Sequence, residues 1–143
     1  MKARPAETRV SAGAGLLRPA FLWTPPVLYA AAIFMFSAIS DPPGLPGDVS
    51  DKWQHALAYA GLTLLLIRAF AGGNWRGVTV RACVLSLVVA VLYGVTDELH
   101  QLFVPGRHAD VMDLAADALG ATAAAVLAGG WGRVVRARTD ARI

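Results

Sequence analysis

The chain has 143 residues, of which 56% are hydrophobic and only 16% are charged, and its mean hydropathy is +0.51. A soluble globular chain carries about 25% charged residues, so the composition argues against a soluble enzyme and against disorder. The single cysteine, Cys83, excludes a disulfide framework and a cysteine-based zinc site, and the net charge of +3 favours a nucleic-acid partner only if the basic residues form one patch.

Four apolar stretches follow one another, and each is close to the ~20 helical residues that cross a hydrocarbon core. They run from about Ala20 to Ile39, from Lys52 to Phe70, from Val78 to beyond Tyr93, and from Asp113 to Trp131. The sequence therefore predicts an all-α membrane protein with four transmembrane helices in a bundle. This transmembrane domain covers residues 20–132, between basic tails at 1–19 and 133–143.

The first stretch follows basic residues, as a signal peptide does, but no convincing cleavage site comes after it. We therefore expect it to remain as a membrane span. Pro25 and Pro26 lie near its start, with Thr24 available as an N-cap, so the helix either begins there or kinks there. The segment DPPGLPGD, residues 41–48, predicts a rigid turn after the first span.

Basic residues are strongly asymmetric in this four-span arrangement. Eleven of the 13 fall on one side: Lys2, Arg4, Arg9, Arg18, Arg68, Arg76, Arg81, Arg133, Arg136, Arg138 and Arg142. The positive-inside rule makes that side, with both termini, cytoplasmic. Because these residues are divided among three flanks, they do not form a nucleic-acid patch.

Acidic residues and histidines gather on the opposite, outer side, where Lys52 and Arg107 are the only basic residues. They are Asp41, Asp48, Asp51, Asp97, Glu98, Asp110, Asp113 and Asp117, with His55, His100 and His108. Acidic residues contribute little to topology, so orientation does not explain this clustering. The pattern predicts a polar site on the outer face.

The second span opens with DKWQHALAY. Asp51 and Gln54 have the spacing of a capping box, which is one interpretation of Asp51. His55 and Tyr59 are four residues apart and share a helix face. A histidine one turn inside a membrane helix is expected to face the bundle or a polar cavity, either in a site or in an interhelical hydrogen bond.

The third span ends with YGVTDELHQLFVPGRHAD. Tyr93, Asp97 and Gln101 form one stripe, and Glu98 adjoins it. The two adjacent carboxylates repel each other, so one is expected to be protonated, paired or metal-bound. The alternative is that both mark the exit of the helix into water.

The segment Val104–Arg107 has turn chemistry, since proline fixes the first central residue and Gly106 permits positive φ at the second. This turn presents Arg107 to the outer surface, against the charge rule. A carboxylate or phosphate partner is the expected reason. An internal salt bridge to Asp97, Glu98 or Asp113 is the alternative.

The fourth span carries Asp110, Asp113 and Asp117 on one face, which continues through small residues: Gly120, Ala121, Ala124 and Ala128. Small residues allow close helix packing, so this face is predicted to point into the bundle. Asp110 is expected to cap the helix, and Asp113 suits its positive N-terminus. Asp117 is too deep for either role. It is the strongest candidate for a functional carboxylate or a buried partner of Arg107.

Two segments resemble the VanZ-like membrane protein family. DKWQHALAYAGL is similar to the family pattern D-K-x-x-H-x-x-x-Y, and YGVTDELHQLFVPGRHADVMDLAADALGA is similar to Y-G-x-x-D-E-x-x-Q-x-F-x-P-G-R followed by D-x-x-x-N-x-x-G. The resemblance covers roughly residues 41–128. One departure is Asp117, near a position where the family usually has Asn.

The resemblance implies a small polytopic protein of the bacterial cell envelope, in a family whose founding member is associated with teicoplanin resistance and has no firmly assigned reaction. We expect an outer-face pocket that binds or modifies a lipid-linked or cell-wall precursor headgroup. Asp97, Glu98 and His55 are the candidates for acid–base work or, alternatively, for binding a divalent cation. The binding candidates are Lys52, Tyr59, Tyr93, Gln101, Arg107, Asp113 and Asp117.

No metal site or cofactor is assigned, since no H-E-x-x-H or comparable spacing occurs. A Ser-His-Asp triad is not expected either, because the outer face offers only Ser40 and Ser50, both in the turn region. Two other functions remain: a non-catalytic structural or interaction protein, and a small proton-coupled transporter. An open polar cavity would favour the pocket, and a closed, mutually neutralised cluster would favour the structural protein.

Overall fold

The computed structural model describes residues 10–40 and 51–142, with side chains from residue 19 onward. Its elements are α1 (Val10–Ser37), α2 (Asp51–Phe70), a short 3-10 helix (Trp75–Gly77), α3 (Val80–Gln101) and α4 (Val111–Asp140). Within these ranges every regular element is a helix, as the sequence predicted. The turn at 41–48 with Asp41 and Asp48, together with Ser50, Lys2, Arg4 and Arg9, lies outside the described residues.

Contacts between helix ends establish the direction of each helix. The end of α1 meets the end of α3, where Ser37 contacts Asp97, and the start of α2 meets the start of α4, where Lys52 contacts Asp113. The described helices therefore run up, down, up and down. α2 packs along α4, α3 packs against both, and α1 packs on α2 and to a smaller extent on α3.

Within the described parts of the chain, three helical segments are long and apolar enough to cross a membrane: Pro19–Ser37, Val80–Gln101 and Val111–Asp140. α2 is not among them, so the fourth predicted span stays a prediction. Large apolar side chains such as Phe21, Leu119 and Leu127 face outward, about 70% exposed. The interior instead contains small residues such as Ala90 and Ala121. This inverted distribution is typical of helices that pack in lipid.

The prolines of α1 lie inside the helix, so of the two predicted alternatives the helix start at Thr24 is excluded. α1 continues through Pro25 and Pro26, and the Thr24 hydroxyl donates to the Ala20 carbonyl at 2.7 Å instead of capping. Pro25 has no N–H for the carbonyl of Phe21, four residues earlier. The Arg68 guanidinium approaches that carbonyl oxygen at 3.5 Å, which partly compensates the missing bond.

The small-residue face of α4 is buried, as predicted, from Asp113 to Ala128. This face approaches α2 closely at Gly120, where a Cβ atom would overlap the backbone of Ala56. Glycine at this position therefore fixes how near α2 and α4 lie. That distance brings the polar side chains of their first turns together.

Candidate functional site

All ten predicted site residues lie at one end of the bundle, where α2 begins, α3 ends and α4 begins. We call this the polar end. Six of the ten side chains are buried there: Tyr59, Asp97, Glu98, Gln101, Asp113 and Asp117. Burial of so many polar groups is costly unless they are hydrogen-bonded or neutralised, so their partners indicate what the polar end does.

Lys52 joins α2 to the start of α4. Its ammonium lies 2.5 Å from Asp110 Oδ2 and also contacts Asp113 Oδ1. Asp110 is the N-cap of α4, as predicted, and its Oδ1 accepts a bond from the Met112 N–H at 2.8 Å. The hydrogen bond from Lys52, followed by that from Met112, holds the pKa of Asp110 below its ordinary value. Lys52 is thus engaged by two carboxylates.

His55 lies between two carboxylates of α4. Its Nδ1 is 3.0 Å from Asp117 Oδ1, and its Nε2 is 3.7 Å from Asp113 Oδ2. Asp117 is therefore within hydrogen-bond distance of the imidazole, whereas Asp113 is within ion-pair distance only. Asp117 pairs with this histidine and not with Arg107, the partner that the sequence had suggested as one possibility.

Asp97 and Glu98 are both buried, and they form hydrogen bonds with different partners. Ser37 of α1 donates to Asp97 Oδ2 at 2.7 Å. Glu98 Oε2 accepts a bond from the Asp110 N–H at 2.8 Å. The second oxygen of each carboxylate, Asp97 Oδ1 and Glu98 Oε1, is buried without a hydrogen-bond partner among the described residues.

The turn that carries Arg107 has the predicted geometry. Gly106 has a φ of +80°, and the Arg107 N–H donates to the Val104 carbonyl at 3.1 Å. In the described part of the chain, Arg107 forms no ion pair with any carboxylate, and its Nε is buried without a hydrogen-bond partner. The internal salt bridge offered as an alternative is therefore not formed.

Arg107 lines a cleft of about 440 Å³ between α1, α2 and α3. The polar side chains along the cleft include Tyr29, Ser37, His55, Tyr59, Asp97 and Arg107. The Tyr59 hydroxyl is buried without a described partner. The cleft thus combines a guanidinium, an imidazole, a carboxylate and hydroxyl groups, which together can bind an anionic group and exchange a proton with it.

The cleft includes two residues that the sequence analysis missed, Tyr29 and Ser37 of α1. Polar residues in an apolar span are themselves a signal, because they seldom face lipid. In contrast, the Tyr93 hydroxyl donates to the Ala30 carbonyl at 2.6 Å, which ties α3 to α1. Gln101 is buried, and its Nε2 has no described partner.

Among the residues that the structure describes, two groups of side chains have the geometry to hold a metal ion. His55, Glu98 and Asp117 offer ligand atoms within 4.8 Å of one another, and so do Asp51, His55 and Asp113. The first group combines α2, α3 and α4 and has two buried carboxylates. The second includes the exposed Asp51 and shares Asp113 with Lys52.

An apolar exterior around an interior that carries ionisable groups at one end defines a helical membrane protein. The family model described as VanZ/LLP1 matches residues 16–132. The chain therefore belongs to the VanZ/LLP1 family, as its two motifs had indicated. No curated protein and no solved structure matches the chain significantly.

Proposed function

We propose that this VanZ-like protein binds the anionic headgroup of a lipid-linked or cell-wall precursor in the cleft at its polar end, on the outer face of the bacterial membrane. The observation that carries this proposal is Arg107. A guanidinium with a buried Nε and no described carboxylate partner is costly unless an anion completes it. Phosphate and carboxylate are the anions that guanidinium binds best.

The apolar part of the cleft supports a lipid-linked ligand. Phe36 and Leu57 line the same cleft as Arg107, and both side chains are more than half exposed. An amphiphilic molecule can therefore contact apolar side chains and the guanidinium at once. A free polar headgroup would contact the guanidinium but not the apolar side chains.

His55 and Asp97 are the ionisable cleft residues suited to proton transfer with a bound headgroup. Ser37 orients Asp97, while Asp117 orients His55. Glu98, which the sequence grouped with them, is bonded to the backbone of Asp110. We therefore assign proton transfer to His55 and Asp97, and headgroup binding to Arg107 with Tyr59.

A structural or interaction protein without catalysis is the second candidate function. The observation that favours it is the closed network of Lys52, Asp110 and Asp113, in which charges neutralise one another across α2 and α4. In that case the polar end fixes the bundle, and Arg107 contributes little. The two candidates thus differ in whether Arg107 or Lys52 is required for function.

Teicoplanin tolerance of cells that produce the chain tests the proposal. Arg107→Ala and Asp97→Asn are expected to abolish any tolerance conferred by the wild-type chain, while the protein still inserts in the membrane. Arg76→Ala removes an exposed arginine at the other end of the bundle and serves as the control. Normal tolerance in both cleft variants, at equal protein abundance, contradicts the proposal that the cleft binds the headgroup. Loss of tolerance only in Lys52→Met favours the structural function.

The ligand class is tested by comparing lipids and cell-wall precursors in cells with and without the protein. We expect an anionic lipid-linked precursor to change in amount or form, and Arg107→Ala to restore the profile of cells that lack the protein. An unchanged profile with wild-type protein argues against modification of a precursor.

A further inference from the structure

We propose that His55, Glu98 and Asp117 form a site for one divalent cation, Zn²⁺ or Mn²⁺, that bridges α2, α3 and α4. This site shares His55 with the cleft but uses neither Arg107 nor a bound headgroup. With the ion bound to His55, Asp97 is the cleft residue that remains for proton transfer. The argument rests on the geometry of the three side chains, on their unpartnered oxygens and on the charge of their surroundings.

The spacing of the donor atoms fits a single ion. One ligand atom from each residue lies within 4.8 Å of the other two. His55 Nδ1 and Asp117 Oδ1 are 3.0 Å apart, which is about the separation of neighbouring ligands on an ion with bonds of ~2.1 Å. The Glu98 ligand atom lies within 4.8 Å of both, so it must move closer for all three to bind one ion.

Unpartnered carboxylate oxygens provide an observation independent of the cluster itself. Asp117 is fully buried and Glu98 is 6% exposed. Asp117 Oδ2 and Glu98 Oε1 have no hydrogen-bond partner among the described residues. A buried carboxylate oxygen without a partner loses its hydration and gains nothing in return, so a metal ion here replaces the missing interactions.

Charge at the polar end also favours a cation. Four carboxylates are buried there: Asp97, Glu98, Asp113 and Asp117. Among the described residues, Lys52 and His55 are the cationic side chains within ion-pair distance of this set, and Lys52 is shared with the less buried Asp110. A divalent ion at Glu98 and Asp117 balances two of the negative charges.

The donor set selects the class of ion. Imidazole nitrogen with two carboxylates suits Zn²⁺ or Mn²⁺ better than Mg²⁺ or Ca²⁺, which prefer oxygen ligands throughout. With Nδ1 on the ion, the Nε2–H of His55 faces Asp113 Oδ2 at 3.7 Å. A carboxylate on the second ring nitrogen is the common support of a metal-bound histidine.

Metal titration of the full chain in detergent tests the site. The purified protein is stripped with a chelator and titrated with Zn²⁺ or Mn²⁺ alone, and bound metal is measured by elemental analysis. We expect one equivalent per chain and a higher unfolding temperature in the wild type. Glu98→Gln and Asp117→Asn, which keep side-chain volume, are expected to bind at least about tenfold more weakly.

Two aspartate variants are matched controls. Asp140→Asn removes a carboxylate at the other end of α4, and Asp51→Asn removes the exposed member of the second metal-capable group. Both are expected to bind the ion like the wild type. Circular dichroism verifies that each variant is folded. If Asp117→Asn does not fold, metal binding by Glu98→Gln alone tests the site.

Two results overturn the proposal. One is a folded wild-type chain that retains no ion, and the other is an ion that Asp51→Asn fails to bind while Glu98→Gln still binds it. Because the titration contains no headgroup ligand, its outcome is independent of the tolerance experiment. If the tolerance experiment contradicts the cleft proposal, the metal titration can still show a bound ion. If no ion binds, the tolerance experiment can still support the cleft.

Discussion

At the scale of single residues, the polar end depends on how each ionisable side chain is neutralised. Lys52 bridges Asp110 and Asp113, and His55 lies between Asp113 and Asp117. Removing one member of a partly buried ion pair leaves the other charge uncompensated, which costs more than the pair contributes. Lys52 therefore stabilises the contact between α2 and α4.

Lys52→Met is expected to lower the unfolding temperature in detergent by roughly 2–5 °C, because the buried Asp113 side chain loses its cationic partner. Lys52→Arg retains the positive charge and is the matched control, with a smaller decrease. Thermal unfolding followed by circular dichroism measures both variants. Equal unfolding temperatures for wild type and Lys52→Met would show that the pair does not stabilise the bundle.

The pH dependence of the same contact follows from Asp110, whose pKa is lowered mainly by Lys52. A lowered pKa contributes stability that is complete above the unfolded value of about 3.9 and is lost as pH falls through the folded value. The stability difference between wild type and Lys52→Met is therefore expected to stay constant from pH 7 to pH 5. It should shrink below about pH 4, as thermal unfolding across this range will reveal.

At the scale of the helices, close packing of α4 on α2 sets the geometry of the polar end. Gly120 touches the backbone of Ala56, and the buried face continues through Ala121 and Ala124. Without large side chains between them, the two helices approach closely enough for van der Waals contact along their length. Asp117 lies three residues before Gly120, toward the polar end. There its Oδ1 is 3.0 Å from His55 Nδ1.

Gly120→Ala is expected to destabilise the protein by about 1–3 kcal/mol, because the added Cβ overlaps the rigid backbone of α2. Gly130→Ala is the matched control in the same helix, since a Cβ there meets nothing within 4 Å. The control is expected to be neutral or stabilising by up to about 1 kcal/mol, from helix propensity. Equal denaturation profiles for the two variants would contradict the close contact.

At the scale of the whole molecule, the described bundle has two chemically different ends. The polar end holds the buried carboxylates and Arg107, whereas arginines such as Arg76 and Arg136 lie at the other end. The positive-inside rule predicts that the arginine-rich end faces the cytoplasm. The headgroup proposal requires the polar end to face outward. It therefore depends on this predicted topology.

Cysteine labelling measures the topology. Cys83→Ala removes the native thiol, after which His108→Cys and Ala141→Cys each introduce one exposed site at opposite ends of the bundle. In intact spheroplasts, a membrane-impermeant maleimide is expected to label His108→Cys and to label Ala141→Cys only after permeabilisation. The reverse pattern would place the cleft in the cytoplasm and exclude an outer-leaflet ligand.

The sequence by itself determined the all-helical fold, the inward face of α4 and the turn before Arg107. Each of these depends on local chemistry: apolar length, small residues at helical spacing, and the φ preferences of Pro105 and Gly106. Local patterns also located the polar end, because an ionisable residue in an apolar span has few favourable positions. The family followed from the same residues.

Only the tertiary structure decided which of these residues are partners. Helical spacing gives the face of a residue but not the rotation and depth of the neighbouring helix. The sequence therefore could not distinguish His55 from Arg107 as the partner of Asp117, and it missed Ser37 beside Asp97. It also left open whether α1 begins or kinks at Pro25 and Pro26, whereas the helix starts earlier and continues through both. Pairing across helices is a long-range property, since it depends on how closely the small faces of α2 and α4 allow the backbones to approach.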